Sequence, residues 1–503
     1  MRDSLPAALF GALLTLIGLN ALLFAVKSVN PLIASDAWHV VDTVLRQAHA
    51  GQFDIGDLFA KRGGFDHSQP LRKLILLFHY HFFDLDFSIE AVIGVVAAFL
   101  NLAVLWLMVR GRGLHAAAAS PLQMLGFAAL AAVYLSLNSP IVFSWSLVTL
   151  NYTTHTFLLA FFASAWWAMQ GGGRGRLLMV FASALAMDVV GDDTGLIATL
   201  AVCVPIALAA LTLGRRRRAI EIAAIALAAY LVYKIGYTML VPSPAGHASR
   251  TGLAIGEMLR DLGQQAGDSW KWIALPLTAS VIHRSQLREW LGPDTSGVEV
   301  AIALLVVAGH AWFWWRALRG RQGLAGFVAI ALMMLFYGLV AGMVLARVSV
   351  QGADYLWQPR YALIYEWNMV ALLLLALDQV GIEPESRGSA SLPAPAPGRR
   401  SGLVVAVVAT ALLLLQVPLS LTSWGSVRYL SAYQQRMALQ MGELARDPAH
   451  VPATCAPALV VCRYPPAKRL QVMQFLRANR LNLFSPGFQA RNRLYPDATA
   501  LPQ

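Results

Sequence analysis

Three short stretches of this chain hold ionisable groups that could act together on an anionic substrate. The first is ASDAWHV (34–40), which sets Asp36 just beyond an apolar run at 7–26. A carboxylate at such a junction is partly desolvated, which raises its pKa toward neutrality and suits it to take a proton from a hydroxyl group. The alternative is that Asp36, or Ser35 beside it, caps the helix that follows. The second is FDHSQPLRK (65–73), where Asp66 and His67 precede Arg72 and Lys73. Acid, imidazole and cations converging near a membrane surface suit a phosphate, with Arg as its bidentate partner. A solvated turn followed by cations that snorkel is the plainer alternative. The third is DYLWQPRYALIYEW (354–367), with Arg360 and Tyr361 directly after Pro359 at the mouth of another apolar run. An Arg there either clamps a phosphate or anchors the helix.

Two further groups lie close to hydrocarbon. Lys234, in AAYLVYKIGYTML, sits within an apolar run among Tyr230, Tyr233 and Tyr237. Charge inside a span generally marks function, so Lys234 is expected to bind substrate, with snorkelling as the alternative. MDVVGDDTG (187–195) places Asp188, Asp192 and Asp193 between two apolar runs. Asp188 and Asp192 are expected to contact substrate, the alternative being a tight turn with an Asp cap. Five of the eleven histidines fall within 27–88: His39, His49, His67, His79 and His81. Their spacing lacks a helical i,i+4 pair and no cysteine joins them, which argues against zinc. No metal ligands are assigned and no cofactor is required; a single magnesium or manganese ion held by Asp oxygens is the alternative.

The elements that must position these groups are membrane helices. The chain has 503 residues, 57% hydrophobic and 13% charged, against about 25% charged in soluble proteins. Eleven apolar runs approach the length needed to cross about 30 Å of hydrocarbon, at roughly 7–26, 89–109, 121–138, 154–170, 176–190, 194–213, 219–241, 299–318, 323–346, 360–379 and 402–420. The fold class is therefore an all-α polytopic membrane protein. The first run has no small-residue cleavage site after it and is read as a retained span. The uncharged stretch from Pro140 to Tyr152 is read as a re-entrant or interfacial piece.

Arg110, Arg112, Arg174, Arg176, Arg215 to Arg218, Arg316 and Arg319 fall in alternate short loops, while 139–153 and 191–193 hold no Lys or Arg. The positive-inside rule then puts the N-terminus in the cytoplasm and the C-terminal tail outside, as expected for a bacterial inner membrane. The net charge of +12 has this topogenic origin, and no spaced basic–aromatic surface points to nucleic acid. Residues 1–420 form the transmembrane domain, with outer loops at 27–88 and 242–298 and an inner connection at 380–401 whose ESRGSASLPAPAPGRR reads as a flexible spacer. Residues 421–503 form a small outer tail, where Cys455 and Cys462 either pair in an oxidising compartment or remain free. No internal repeat and no phosphate-binding glycine loop is present. Within the first outer loop, 36–51 and 70–83 read as amphipathic interfacial helices. The second is expected to bury Leu71, Leu74, Ile75, Phe78 and Phe82, and Asp42 and Arg46 of the first are spaced to pair.

An acid directly after the first span, a large first outer loop with two interfacial helices, and an Arg at the outer end of a late span together make the chain resemble the membrane glycosyltransferases of the GT-C superfamily. The resemblance covers about 1–420 as architecture. It implies a GT-C-like helical bundle that moves a sugar from a polyprenyl-phosphate-linked donor to a lipid or glycan acceptor on the extracytoplasmic face. It also implies Asp36 as catalytic base, Arg360 and Lys234 as phosphate-binding groups, and Asp66 with His67 where some members carry a second acidic motif. Many members have two adjacent acids in the first loop, whereas Asp36 is followed by Ala37, and the tail here is small. A lipid-glycan polymerase or ligase of another fold, relying on His67, Arg72 and Arg250, is one alternative. A transporter or flippase for a lipid-linked or anionic substrate is another.

Overall fold

The computed structural model describes residues 4–61, 68–110, 119–241, 251–320, 322–381 and 399–494. Among them there is no β-strand. Helix α1 (Ser4–Ser28) leads into a broken helix made of α2 (Ala37–Val40), a π-helical turn (Val41–Leu45) and α3 (Arg46–His49). The short α4 (Ile55–Phe59) and then α5 (Pro70–Phe82) complete the first loop. The bundle continues through α6 (Ser88–Arg110), α7 (Pro121–Tyr134), α8 (Ile141–Ser144), α9 (Ser146–Gln170), α10 (Arg174–Gly191), α11 (Asp193–Leu213) and α12 (Arg216–Leu240). The second large loop holds α13 (Thr251–Gln264), α14 (Ser269–Ala279) and α15 (Arg284–Leu291). Then follow α16 (Ser296–Arg319), α17 (Leu324–Met343), α18 (Ser349–Gln351), α19 (Ala362–Gly381) and α20 (Arg399–Gly425), and the tail helices α21 (Val427–Arg446), α22 (Pro466–Ala478) and α23 (Pro486–Asn492).

Among the described residues eight helical stretches, on α1, α6, α11, α12, α16, α17, α19 and α20, are long and apolar enough to cross a membrane. The other three expected spans are also helical, as α7, α9 and α10. The protein is a multi-pass membrane protein. Leu16, Leu107, Leu305 and Leu414 stand on its outer surface, where lipid can solvate them, so the core is not set by hydrophobicity alone. Helices α17 and α19 lie deepest, with Phe327, Ile330, Val370 and Leu374 fully enclosed. Close approach there and elsewhere needs small residues. A methyl group built on Gly94 of α6 would run into the Thr149 carbonyl of α9.

The stretch read as re-entrant is the single turn α8 followed by the start of α9, and the backbone of Asn30 donates to the Ser144 carbonyl (2.9 Å). The first interfacial helix forms with a π turn in its middle, and Asp42 pairs with Arg46 at 2.8 Å as its spacing predicts. Helix α5 corrects the sequence reading. Leu74, Phe78 and Phe82 are exposed, while Arg72, Lys73, Leu76 and His79 are buried. The apolar stripe of α5 faces outward and its polar groups turn into the protein, the reverse of a helix in water. The reason is the solvent: at a bilayer surface the apolar face needs no protein cover, whereas charged groups need partners.

The tail is not a separate appendage. Trp38, Val41, Leu45, Leu76 and Phe87 of the first loop share one apolar core with Met437, Met441, Leu444, Val472 and Leu476 of the tail. Lys468 reaches across to Asp42 (2.6 Å), and Cys455 and Cys462 form a disulfide. The spacer expected within 380–401 falls largely outside the described residues.

Gly94→Ala should force α6 and α9 apart, an overpacking cost of about 1–3 kcal/mol. It should lower the thermal midpoint of the detergent-solubilised protein. Gly11→Ala, where no atom lies within 4 Å of the new methyl group, should leave the midpoint unchanged.

Candidate functional site

Asp36 enters α2 from Ser35, whose backbone is left-handed (φ 52°) and whose N–H donates to the Ala458 carbonyl of the tail at 2.7 Å. Asp36 has helical dihedrals and its side chain makes no capping bond. The capping alternative therefore does not hold, and its half-buried carboxylate points elsewhere. Its charge is felt by Arg360.

Arg360 lies on a 3₁₀ turn, Pro359–Tyr361, that packs against α8 at the entrance to α19. Its guanidinium donates to the Tyr355 hydroxyl and lies 5.8 and 5.2 Å from the centres of the Tyr355 and Tyr361 rings. Among the described residues no Asp or Glu comes within 4.0 Å of it, Asp36 included. The result is a half-buried cation that sees a carboxylate without contacting it. A guanidinium so placed has unspent capacity for a bidentate anion.

The Arg360 turn is held from outside the bundle. His283 accepts from the Ser285 backbone at Nδ1 (3.2 Å), so Nε2 carries the proton and donates to the Trp357 carbonyl at 2.8 Å. Burial holds this imidazole below its ordinary pKa, which keeps it neutral in that role. The His283 backbone donates to Asn138 Oδ1 (2.6 Å), and Asn138 donates to the Ala279 carbonyl (2.7 Å). Next to it, Arg284 grips Glu299 through two bonds of 2.8 and 2.9 Å, reaches Asp354 at 3.3 Å and stacks 4.5 Å over Trp357. Sequence reasoning missed His283, Arg284, Glu299 and Tyr355. The bonds from His283 and Arg284 to Trp357 and Glu299 join residues 74 and 15 apart, which no local spacing announces, while Tyr355 is only five residues from Arg360.

A second cluster ties the first loop to α10, α11 and α12. Asp192 is fully buried and has a left-handed backbone (φ 49°). It accepts from the Ser68 backbone (3.0 Å) and the Tyr233 hydroxyl (2.9 Å), and pairs with Lys61 (2.7 Å) and Lys234 (3.4 Å). Asp193, half exposed, pairs with Lys234 (2.9 Å) and Lys61 (3.4 Å). Neither end of α11 is capped by an Asp side chain. Two cations here meet two carboxylates, so Lys234, expected to hold a phosphate, is ion-paired instead. Burial is the strongest single influence and works against the charge on Lys61, but the bond to Asp192 and the charges of Asp192 and Asp193 together outweigh it and raise its pKa. Asp188 is buried against Gly195, with no hydrogen-bond partner among the described residues for either oxygen.

Arg72 belongs to a third group. It lies 3.9 Å from Glu90 and donates to Gln69 Oε1 (3.2 Å). The wholly buried Glu90 also accepts from Ser146 (2.9 Å) and sits 3.5 Å from His79. Helix α5 touches α4, α6, α10 and the π turn after α2, so it spans the ground between the Asp192 cluster and the segment that carries Asp36. Asp66 and His67 lie outside the described residues. Among the described residues no three His, Cys, Asp or Glu side chains gather as metal ligands.

No known family profile matches the chain and no curated protein matches it. In a search of solved structures it is similar to ArnT from Cupriavidus metallidurans, a crystal structure with undecaprenyl phosphate bound. The match has 14% identity and a TM-score of 0.43, covering 94% of this chain and 88% of that one. At that level it assigns no residue.

Removing one partner of a buried ion cluster costs about 3–5 kcal/mol, so Asp192→Ala should be strongly destabilising, read as a lowered thermal midpoint. Asp193→Ala, at an exposed carboxylate, should change stability by no more than about 1 kcal/mol. The contribution of Lys61 depends on pH. Its folded-state pKa lies above the ordinary 10.5, so its stabilisation is complete below that value and fades as pH rises through the folded pKa. The stability gap between wild type and Lys61→Met should therefore close at strongly alkaline pH.

Proposed function

We propose that this protein is a membrane glycosyltransferase that moves a sugar from a polyprenyl-phosphate-linked donor to a hydroxyl group of a lipid or glycan acceptor on the extracytoplasmic face. The observation that carries the reading is Arg360: a guanidinium at the mouth of a span, braced by Tyr355 and Tyr361, within the field of the Asp36 carboxylate but not neutralised by contact with it. An anion fits against Arg360, and a lipid phosphate is the anion that arrives at this depth with its chain in the bilayer. The Cys455–Cys462 disulfide on the same side supports an oxidising, non-cytosolic face.

In the proposed reaction Asp36 takes the proton of the acceptor hydroxyl, whose oxygen forms a bond to the anomeric carbon of the sugar. The bond from that carbon to the phosphate oxygen breaks, and the electron pair leaves on the phosphate. Arg360 stabilises the charge that develops there, the service from which electrostatic catalysis draws most. Tyr361 orients the guanidinium through its ring. Lys234, with Lys61, holds the first loop onto the bundle through Asp192 and acts on substrate only indirectly. Asp66 and His67 remain proposed members of the same site. No cofactor is required by this chemistry, since a guanidinium supplies the positive charge that a divalent ion would otherwise bring.

The decisive comparison is the profile of lipid-linked sugars in cells with and without the protein, followed by transfer assays on the purified protein in liposomes. Asp36→Asn should reduce transfer by about 10²-fold or more with protein abundance intact, and Arg360→Ala should lose about 10²–10³-fold. Chelation with EDTA should leave activity in place. Undiminished transfer in Asp36→Asn would remove the carboxylate from the mechanism, and abolition by EDTA would assign the charge stabilisation to a metal ion.

A further inference from the structure

Between α5, the outer end of α9 and the end of α10 lies a small cleft with room for about 40 Å³, opening to the surface. It is lined by Gln69 and Arg72 from α5 and its approach, and by Asn151, Thr153 and Thr154 of α9. Leu147 and Leu150 give it an apolar wall. Its polar groups are of mixed character. The Thr153 hydroxyl donates to the Leu150 carbonyl (2.7 Å), which leaves its oxygen to accept. Gln69 uses its carbonyl on Arg72 (3.2 Å), which leaves its amide N–H groups to donate. Asn151 is exposed at the rim.

The charge state of the cleft decides what it can take. Arg72 is nine-tenths buried, and its charge is balanced by Glu90, fully buried at 3.9 Å behind it. An anion bound in the cleft would gain a guanidinium and meet a desolvated carboxylate that water does not screen. A neutral group with several hydroxyls meets no such penalty. Amides, hydroxyls and a guanidinium satisfy its donors and acceptors, and Leu147 and Leu150 receive its C–H face. Arg360 has the opposite character, with no carboxylate in contact. Helix α8, which packs on the Arg360 turn, is followed after one extended residue, Trp145, by α9, and Asn151 and Thr154 lie about 8 and 12 Å along α9 from its first residue at 1.5 Å per residue.

The geometry points to this cleft as a binding subsite for an uncharged, hydroxyl-rich ring, holding one edge of a sugar while the Arg360 turn holds the anionic part of the substrate. The assignment of the ring to a transfer substrate rests on the glycosyltransferase reading. The binding chemistry of the cleft does not.

The test is saturation-transfer NMR on the full-length protein in detergent, with the methyl glycosides of glucose, galactose, mannose and N-acetylglucosamine as probes and inorganic phosphate as competitor. At least one glycoside should bind, and phosphate should not displace it. Thr154→Val, which removes a hydroxyl at constant shape, and Asn151→Leu should each weaken binding by about tenfold, the effect of one or two lost hydrogen bonds. The thermal midpoint of Thr154→Val should stay at the wild-type value, which separates lost binding from lost fold. No glycoside binding, binding unchanged in both variants, or displacement by phosphate would each overturn the subsite. In the transfer assay, a raised KM for the lipid-linked donor in Thr154→Val assigns the cleft to the donor's sugar, and a raised KM for the acceptor assigns it to the acceptor's. The two readings fail separately. Glycoside binding weakened by Thr154→Val in a protein whose transfer ignores Asp36→Asn keeps the subsite and removes the transferase. Absent glycoside binding with Asp36-dependent transfer does the reverse.

Discussion

Charged side chains of the first loop find partners by turning away from its exposed apolar face, and the arrangement around the proposed site follows from that constraint. In water an amphipathic helix hides its leucines. Here α5 presents Leu74, Phe78 and Phe82 outward and brings Arg72, Lys73 and His79 into the protein. The ammonium group of Lys73 donates to the carbonyls of Asp57 and Ala60 at 2.8 and 2.6 Å, so a cation brought inward is satisfied by backbone as well as by carboxylates. Polar groups turned inward from several helices meet beneath the first loop.

The converging charges differ in whether they are neutralised. Lys61 and Lys234 meet Asp192 and Asp193; Arg284 meets Glu299 and Asp354; Arg72 meets Glu90. These clusters join segments distant in sequence, and they do so in surroundings where a broken pair is costly. Arg360 alone among the cations discussed here lies near a carboxylate with no Asp or Glu of the described residues in contact. The contrast separates the charges that are paired within the scaffold from the one that we propose is left for a ligand. The Arg360 turn is firmly braced: His283, Arg284 and Trp357 hold the backbone beside a cation whose described contacts are the Tyr355 hydroxyl and the rings of Tyr355 and Tyr361.

The tail contributes to the same end. Its core is shared with the first loop, and its backbone fixes the residue immediately before Asp36 through the bond from Ser35 to Ala458. The direction of the Asp36 carboxylate thus depends on a segment more than 400 residues away. Division of the chain at 420 into a membrane domain and a tail follows the hydropathy, but the packing joins what the hydropathy divides.

The membrane class, the positions of the spans and the two helices of the first loop were legible in the sequence, because hydrocarbon demands long apolar helices and their length and composition are local properties. Asp36 and Arg360 could be singled out for the same reason, as charged residues at the ends of apolar runs, and the roles given to them here are proposed. The inward face of α5, the pairing of Lys234 with two aspartates and the bracing of Arg360 by His283 and Arg284 were not. Each depends on which groups meet across the bundle, and a one-dimensional pattern does not say whether a cation ends beside a carboxylate. Sequence alone determined that this chain lies in a membrane and where its charges sit along it. Only the tertiary structure decided which of those charges cancel, because cancellation is a matter of distances between helices.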